Sequence, residues 1–257
     1  MHITIVKVGG AVVEDEAQLA LLLRGFEQIE GPKILVHGGG RRATKVAAAL
    51  GIATQMVDGR RITDADTLEV VTMVYGGLVN KHIVAALQAI GVNAIGLTGA
   101  DMDVIRSHRR PPKDGIDYGF VGDVDRVDAL RLKALAEAGL TPVIAPLTHD
   151  GAGTMLNTNA DTIASQVARA MAQLCDVTLT YCFEKPGVLA CPDRDDSVIP
   201  LITPQSFKDL AHDGTISGGM LPKVENAIAA VQAGVSRVVI TNVSSISQPG
   251  RGTTVSM

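Results

Sequence analysis

Tryptophan is absent from this chain, and aromatic residues fill only 3% of its 257 positions. Its core must therefore be built from Ala, Val, Ile and Leu. Cysteine is scarce as well. Cys175, Cys182 and Cys191 form no CxxC pair and cannot all pair with one another, so a reduced, cytoplasmic compartment is expected. The formal net charge is only −4, which excludes general nucleic-acid binding through a strongly basic surface but leaves room for a local basic pocket. No run of about 18 consecutive apolar residues occurs, so no membrane span is expected. The N-terminus, Met1 to Lys7, has no basic region followed by a long apolar segment, and no signal peptide is expected.

Several catalytic signatures are missing too. There is no GxGxxG and no GxxxxGK[ST], which disfavours a Rossmann dinucleotide site and a P-loop. The histidines are scattered with no HExxH, so a catalytic zinc site is not expected and no metal-ligating residues are assigned. No Gly-x-Ser-x-Gly elbow occurs, which disfavours a common type of serine hydrolase.

What is present is a chain 46% hydrophobic and 19% charged, able to bury a sizeable core. Ile3 to Val8 reads as a buried parallel strand ended by Gly9-Gly10, and Asp15 to Ile29 as a helix. Ile34 to His37 repeats the strand, Gly38-Gly39-Gly40 repeats the glycine turn, and Arg42 to Leu50 repeats the helix. This recurrence predicts an α/β fold on a parallel sheet. Asp58-Gly59 is a hairpin signal. Asp64 to Ile90 reads as a long helix interrupted at Gly76-Gly77, and Asn93 to Leu97 as a strand. Arg106 to Gly122 reads as an exposed hairpin with a flexible tip. Further helices are expected over Asp128 to Ala138 and Pro204 to His212, and after Gly218-Gly219, with an apolar face of Met220, Val224, Ala227, Ile228 and Val231. Further strands are expected over Pro142 to Pro146, Val177 to Tyr181 and Arg237 to Ile240. No repeat or composition break divides the chain, so one compact unit of two lobes is expected.

The stretch Thr154 to Asp161 sets Asn157, Asn159 and Asp161 at alternate positions before an apolar-faced helix. Thr158-x-x-Asp161 fits a capping box with Thr158 as N-cap. Capping accounts for Thr158 and Asp161 but not for both asparagines. Lys7 lies near the end of an apolar strand, where a lysine is rare unless paired, although an edge strand or a snorkelling side chain would also accommodate it. Gly9-Gly10 beside it lets backbone amides approach an anion closely. Lys223 follows Pro222, the expected first residue of its helix. A cation in a first helical turn opposes the helix dipole, and an anion bound at that end would explain it. An arginine of Asp58-Gly-Arg-Arg-Ile-Thr63 suits a carboxylate, with nothing local to separate Arg60 from Arg61. His37 fits a core position as well as a catalytic one.

Taken in order, Lys7-Val-Gly-Gly10, Val36-His-Gly-Gly-Gly40, Asp58-Gly-Arg-Arg-Ile-Thr63, Gly119-Phe-Val-Gly122, Met155-Leu-Asn-Thr-Asn-Ala-Asp161 and Gly218-Gly-Met-Leu-Pro-Lys223 resemble the amino acid kinase family. The resemblance implies a three-layer αβα sandwich around an open, mainly parallel eight-stranded sheet. It implies a single domain over residues 1–257, with a lobe over about 1–175 for the acyl amino acid and dimerisation, and one over about 176–257 for ATP. The implied reaction transfers the γ-phosphoryl group of ATP, with Mg2+, to the side-chain carboxylate of N-acetyl-L-glutamate in arginine biosynthesis. N-succinyl-L-glutamate is the alternative acceptor, and a non-catalytic nucleotide or amino-acid sensor of the same fold is a further one.

By the same resemblance, Lys7, Lys223 and Asp161 are catalytic, with Asp161 orienting both lysines. Gly39, Gly40, Arg61, Asn157 and Asn159 hold the acyl amino acid. Gly9, Gly10, Gly187, Val188, Leu189, Thr215, Ile216 and Ser217 hold the nucleotide. One departure is visible: Tyr181 to Leu189 is longer than the family's Asp-Val-x-Gly-Val/Ile-Leu segment and lacks its aspartate. Family members inhibited by arginine carry an extra N-terminal helix, whereas this chain starts at its first strand. A homodimer without that feedback, with no nucleic-acid or membrane partner, is the expectation.

Overall fold

The computed structural model describes residues 1–57, 59–248 and 250–257. The chain runs β1 (His2–Val8), α1 (Gly10–Glu14), α2 (Glu16–Glu27), β2 (Lys33–His37), α3 (Gly40–Ala49), β3 (Met56–Val57), β4 (Arg60–Arg61), α4 (Ala65–Val71) and α5 (Asn80–Ala89). It continues through β5 (Ala94–Leu97), β6 (Ile105–Arg109), β7 (Gly122–Val127), α6 (Ala129–Glu137), β8 (Thr141–Ile144), β9 (Leu147–His149), β10 (Met155–Asn157) and α7 (Ala160–Met171). It ends with β11 (Asp176–Phe183), β12 (Leu201–Ile202), α8 (Pro204–His212), α9 (Leu221–Gln232), β13 (Arg237–Asn242) and β14 (Thr253–Val255).

Eight strands form the main sheet in the order β12-β14-β13-β11-β1-β2-β8-β5. All neighbours are parallel except β13 and β14. β1 lies at the centre, and alternation of its side chains decides what each face receives. Ile3 and Ile5 join the apolar layer beneath α6, α7 and α9, whereas Val6 and Val8 join the layer beneath α2, α3, α4 and α5. Lys7 continues the Ile3–Ile5 side and therefore points toward α7. Small aliphatics suffice because both faces are covered by helices, as the near absence of aromatics required.

Two expectations about element boundaries are corrected first. The long helix is not broken at Gly76-Gly77: Thr72–Val79 widens into a π-helical segment that joins α4 to α5 without interruption. This 25-residue stretch, Ala65–Ala89, is long and apolar enough to cross a bilayer by length and composition, yet Val70, Val71, Val74, Ile83 and Leu87 bury one side of it in the core. Residues 106–122 are only partly an exposed hairpin. β6 and β7 pair antiparallel and the turn at Lys113–Ile116 is exposed, but Tyr118 and Val121 are buried, and Val121 lines the cleft described below. The hairpin forms as β3–β4, although Asp58 lies outside the described residues.

Thr158 does not cap α7. Its hydroxyl is buried, sharing a 2.8 Å hydrogen bond with the Thr148 hydroxyl and donating to the Gly122 carbonyl at 3.3 Å. The cap is Asn159, whose Oδ1 accepts from the Asp161 and Thr162 amides at 2.8 and 3.1 Å. α9 likewise begins one residue earlier than expected, at Leu221, which leaves Lys223 in its first turn.

His37 settles into the core. Its Nδ1 donates to the Gly38 carbonyl at 2.8 Å and its Nε2 accepts from Asn80 Nδ2 at 3.1 Å, so the neutral ring is fully used. Burial pushes its pKa down to about 4. Because the folded value lies below the ordinary 6.5, the unfolded chain takes up a proton between those pH values that the folded chain refuses. The stability this ring contributes is complete above pH 6.5 and is lost toward pH 4, by roughly 3 kcal/mol. NMR titration of the folded protein should find the His37 ring still neutral at pH 5.5. A midpoint near 6.5 would contradict this buried assignment.

Candidate active site

The site sits beyond the carboxyl ends of β1, β2 and β11, where parallel sheets leave a crevice. Two glycine turns meet there. A Cβ added at Gly10 would stand 3.5 Å from the Gly39 amide and 3.6 Å from the Gly40 amide, and one at Gly38 would stand 3.1 Å from the Gly10 amide. Any side chain at Gly38 would push the turns apart. Gly9 precedes α1 and Gly39 caps α3 by backbone alone, so unspent amides collect at this junction.

Lys7 is 6% exposed, and its Nζ lies 2.8 Å from Asp161 Oδ1. The alternation of β1 carries Lys7 to that position, and the Asn159 cap fixes the turn that carries Asp161. Lys223 is half-buried and forms no ion pair among the described residues. Its pKa is lowered chiefly by burial and also by the nearby Lys7 charge, against the opposing pull of Asp161 and Glu184. Asp161 thus binds one of the two lysines directly, and reaches the other only through its field.

A cleft of about 210 Å³ joins Lys7, Gly10, Gly39, Gly40, Arg61, Asn157, Asn159 and Asp161. Every expected substrate-binding position therefore lines one cavity. Arg61 is buried and rigidly held: its guanidinium donates to the Gly40 carbonyl and the Thr44 hydroxyl, both at 2.9 Å, and to the Thr54 hydroxyl at 3.0 Å. Asn157 Nδ2 donates to Thr63 Oγ1 at 2.9 Å. The 119–122 motif locks this arrangement, since Phe120 N donates to Thr63 O at 2.7 Å and Asn157 N to Phe120 O at 2.9 Å.

A second cleft of about 450 Å³ opens over Gly9 and Gly10, with Arg41, Phe183, Glu184 and Lys223 in its wall. The other expected nucleotide positions lie elsewhere. Val188 and Ile216 are core side chains, and Leu189 is bridged to Val198. Gly187 abuts Thr253 and Val198, Thr215 bonds back to Asp213, and Ser217 is exposed. None of these six lines the clefts that hold Lys7 and Lys223.

Two residues went unassigned in the sequence. Arg60 lines the cleft that holds Arg61 and also the neighbouring cleft that holds Lys223. Unlike that of Arg61, its side chain makes no hydrogen bond among the described residues. Phe183, at the end of β11, stands within reach of both lysines. The sequence carries no local signal for Phe183: the strand was expected to end at Tyr181, whereas β11 runs on to Phe183 beside β1.

Among the described residues, no three His, Cys, Asp or Glu side chains gather as a metal cage. Among the same residues, Asp161 is the only carboxylate lining the cleft that holds Lys7 and Arg61, and Glu184 the only one over Gly9–Gly10. This donor set fits an Mg2+ ion that arrives mostly on phosphate oxygens.

Solved structures share this fold. An N-acetylglutamate synthase from Neisseria gonorrhoeae superposes with a TM-score of 0.83 at 22% identity, over 99% of this chain and 59% of that longer one. A carbamate kinase from Giardia lamblia superposes at 0.71 and 15% identity, over 99% of this chain and 97% of that one. In sequence, the chain is 65% identical over 253 residues to the acetylglutamate kinase of Phocaeicola vulgatus, covering 98% of each. It is 41% identical over 254 residues to that of Methanopyrus kandleri, covering 98% of this chain and 99% of that one. The sequence pattern described as "Amino acid kinase family" matches residues 2–242, and with that match the chain belongs to the amino acid kinase family.

Proposed function

We propose that the chain transfers the γ-phosphoryl group of ATP to the side-chain carboxylate of N-acetyl-L-glutamate, giving N-acetyl-L-glutamyl 5-phosphate for arginine biosynthesis. The observation that carries this reading is the single cleft joining the Gly10–Gly39–Gly40 amides, Arg61, Asn157 and the Lys7–Asp161 pair, in a chain 65% identical to an acetylglutamate kinase.

Phosphoryl transfer requires positioning and charge neutralisation more than covalent help from the protein. Arg61, already fixed by three hydrogen bonds, receives the substrate's α-carboxylate, and Asn157 holds the same molecule. The attacking group is already a carboxylate, so no general base is needed. Lys7 and Lys223 stabilise the charge of the transferring group, and the amides of Gly9, Gly10 and Gly39 add oxyanion-type donors. Asp161 holds Lys7 in place, while Asn159 holds the turn that carries Asp161. Mg2+ would supply charge neutralisation on the phosphates, with Asp161 or Glu184 as the nearest carboxylates to its path. In this reading about 1–175 forms the acyl amino acid lobe and about 176–257 the ATP lobe, the latter including the segments 187–189 and 215–217. The enzyme works as a cytoplasmic homodimer, a reading supported by exposed Met73 and Leu78 on the long apolar helix.

One observation favours a second acceptor. Arg60 is a cation beside the substrate cleft whose side chain has no hydrogen-bond partner among the described residues, and it would suit the distal carboxylate of N-succinyl-L-glutamate. A panel of acyl glutamates with ATP and Mg2+ tests both readings. Turnover of N-acetyl-L-glutamate at a higher kcat/KM is the expected result. A strong preference for the succinyl compound would replace the acceptor, and no ATP consumption with either would sink the proposal.

A further inference from the structure

Phe183 occupies the point where the two active-site lysines meet. Its ring centroid lies 4.1 Å from Lys223 Nζ and 5.3 Å from Lys7 Nζ. Both distances fall within the range at which the negative face of an aromatic ring attracts a cation. The ring is itself held in place. Tyr181, two residues earlier on the same face of β11, stacks on it with centroids 5.9 Å apart and planes 8° apart. Tyr181 is buried and in register with Lys7 on the neighbouring strand. The strand pairing that places Lys7 therefore also places the stack.

The two lysines need such a support. Two like charges facing one ring repel, as the lowering of the Lys223 pKa by the Lys7 charge records, and the half-buried Lys223 side chain has rotamers that lead to solvent. Asp161 touches only Lys7. Lys223 has no ion pair among the described residues, and its ammonium lies over the Phe183 face in a cleft that both residues line.

We propose that Phe183 is a positioning residue, whose ring face holds the Lys223 and Lys7 ammonium groups in convergence before the nucleotide enters, so that the γ-phosphoryl group meets a preformed pair of cations. This rests on the reading of both lysines as phosphoryl-stabilising groups. Leucine keeps the apolar bulk at this position but has no quadrupole, whereas tyrosine keeps the ring.

Steady-state kinetics with ATP, Mg2+ and N-acetyl-L-glutamate test it on the full chain, with thermal unfolding alongside. Phe183→Leu is expected to lower kcat about tenfold, with the KM for N-acetyl-L-glutamate within about twofold of the parent and the unfolding midpoint within about 2 °C. Phe183→Tyr is expected to return kcat to within about threefold of the parent. The proposal is overturned if Phe183→Leu keeps parental kcat. It is overturned equally if Phe183→Tyr is as slow as Phe183→Leu, since packing alone would then explain the loss. Lys223→Ala separates the two levels. If that variant keeps its kcat, the reading of the lysines fails. If it collapses while Phe183→Leu does not, only the role of the ring fails.

Discussion

Lys223→Ala is expected to lower kcat by about 10²–10³-fold while leaving the folded state as stable as before, or slightly more so. The two effects have opposite physical origins. In the proposed mechanism the ammonium acts where charge is redistributed as the phosphoryl group passes between oxygens. Removing one such donor from a water-poor site typically costs about 10²–10³ in rate. In the resting protein the same ammonium is unfavourably placed. It stands in the first turn of α9, against the helix dipole, and burial lowers its pKa. Deleting it relieves both penalties. Lys7→Ala is a less clean experiment, because Lys7 is buried against Asp161 and its loss strands Asp161 Oδ1. The measurements are kcat, KM for each substrate and the unfolding midpoint. A pH profile adds a further check: the alkaline fall in kcat/KM should begin below the ordinary lysine value of 10.5, since burial lowers the Lys223 pKa. Unchanged kcat in Lys223→Ala would remove Lys223 from the mechanism. Joint loss of activity and stability would make it a structural lysine.

The sequence was legible where a local rule and a global one agreed. Two strand–glycine–helix units at the N-terminus announced the parallel sheet, and β1, β2, α2 and α3 lie close to where periodicity put them. Lys7 was legible as an anomaly, because a lysine continuing an apolar strand face needs a partner, and Asp161 is that partner. The helix cap was misplaced by one residue for a reason that sequence does not carry. Thr158 and Asn159 are both good caps, and the choice was made by Thr148 and Gly122, which take the Thr158 hydroxyl into the interior. Arg60 and Arg61 could not be separated because their difference lies in Gly40, Thr44 and Thr54, brought together only by the fold. Phe183 was missed for a similar reason: cation–π contacts leave no pattern along the chain. The glycine pair at 76–77 predicted a break, but the helix could widen into a π segment while keeping its buried side.

Gly119→Ala is expected to raise the KM for N-acetyl-L-glutamate by about tenfold or more and to lower stability by about 3 kcal/mol, with little change in the KM for ATP. Gly119 has a φ of +69°, a left-handed backbone that costs a side chain about 1 kcal/mol. Steric conflict costs more. A Cβ at this position would stand 2.1 Å from the Thr63 carbonyl oxygen, a backbone atom that cannot swing aside. Thr63 must move, and it is the joint between the two residues proposed to grip the substrate, Arg61 and Asn157. Its hydroxyl accepts from Asn157 at 2.9 Å and donates to the Arg61 carbonyl at 2.9 Å. A shift of Thr63 therefore disturbs both proposed grips on the acyl amino acid, while Gly9, Gly10 and Lys223 lie on other elements and are spared. Gly115→Ala supplies the control. It lies in the same loop with a φ of +77°, but nothing stands within 4 Å of its added Cβ. It should show only the backbone cost, about 1 kcal/mol, with unchanged kinetics. If both variants behave alike, the cost belongs to backbone strain alone and the Gly119–Thr63 contact does not transmit to the site. If Gly119→Ala alone loses affinity for the acyl substrate, the family motif at 119–122 acts by holding Thr63 and Asn157 in register, without itself touching the reacting groups.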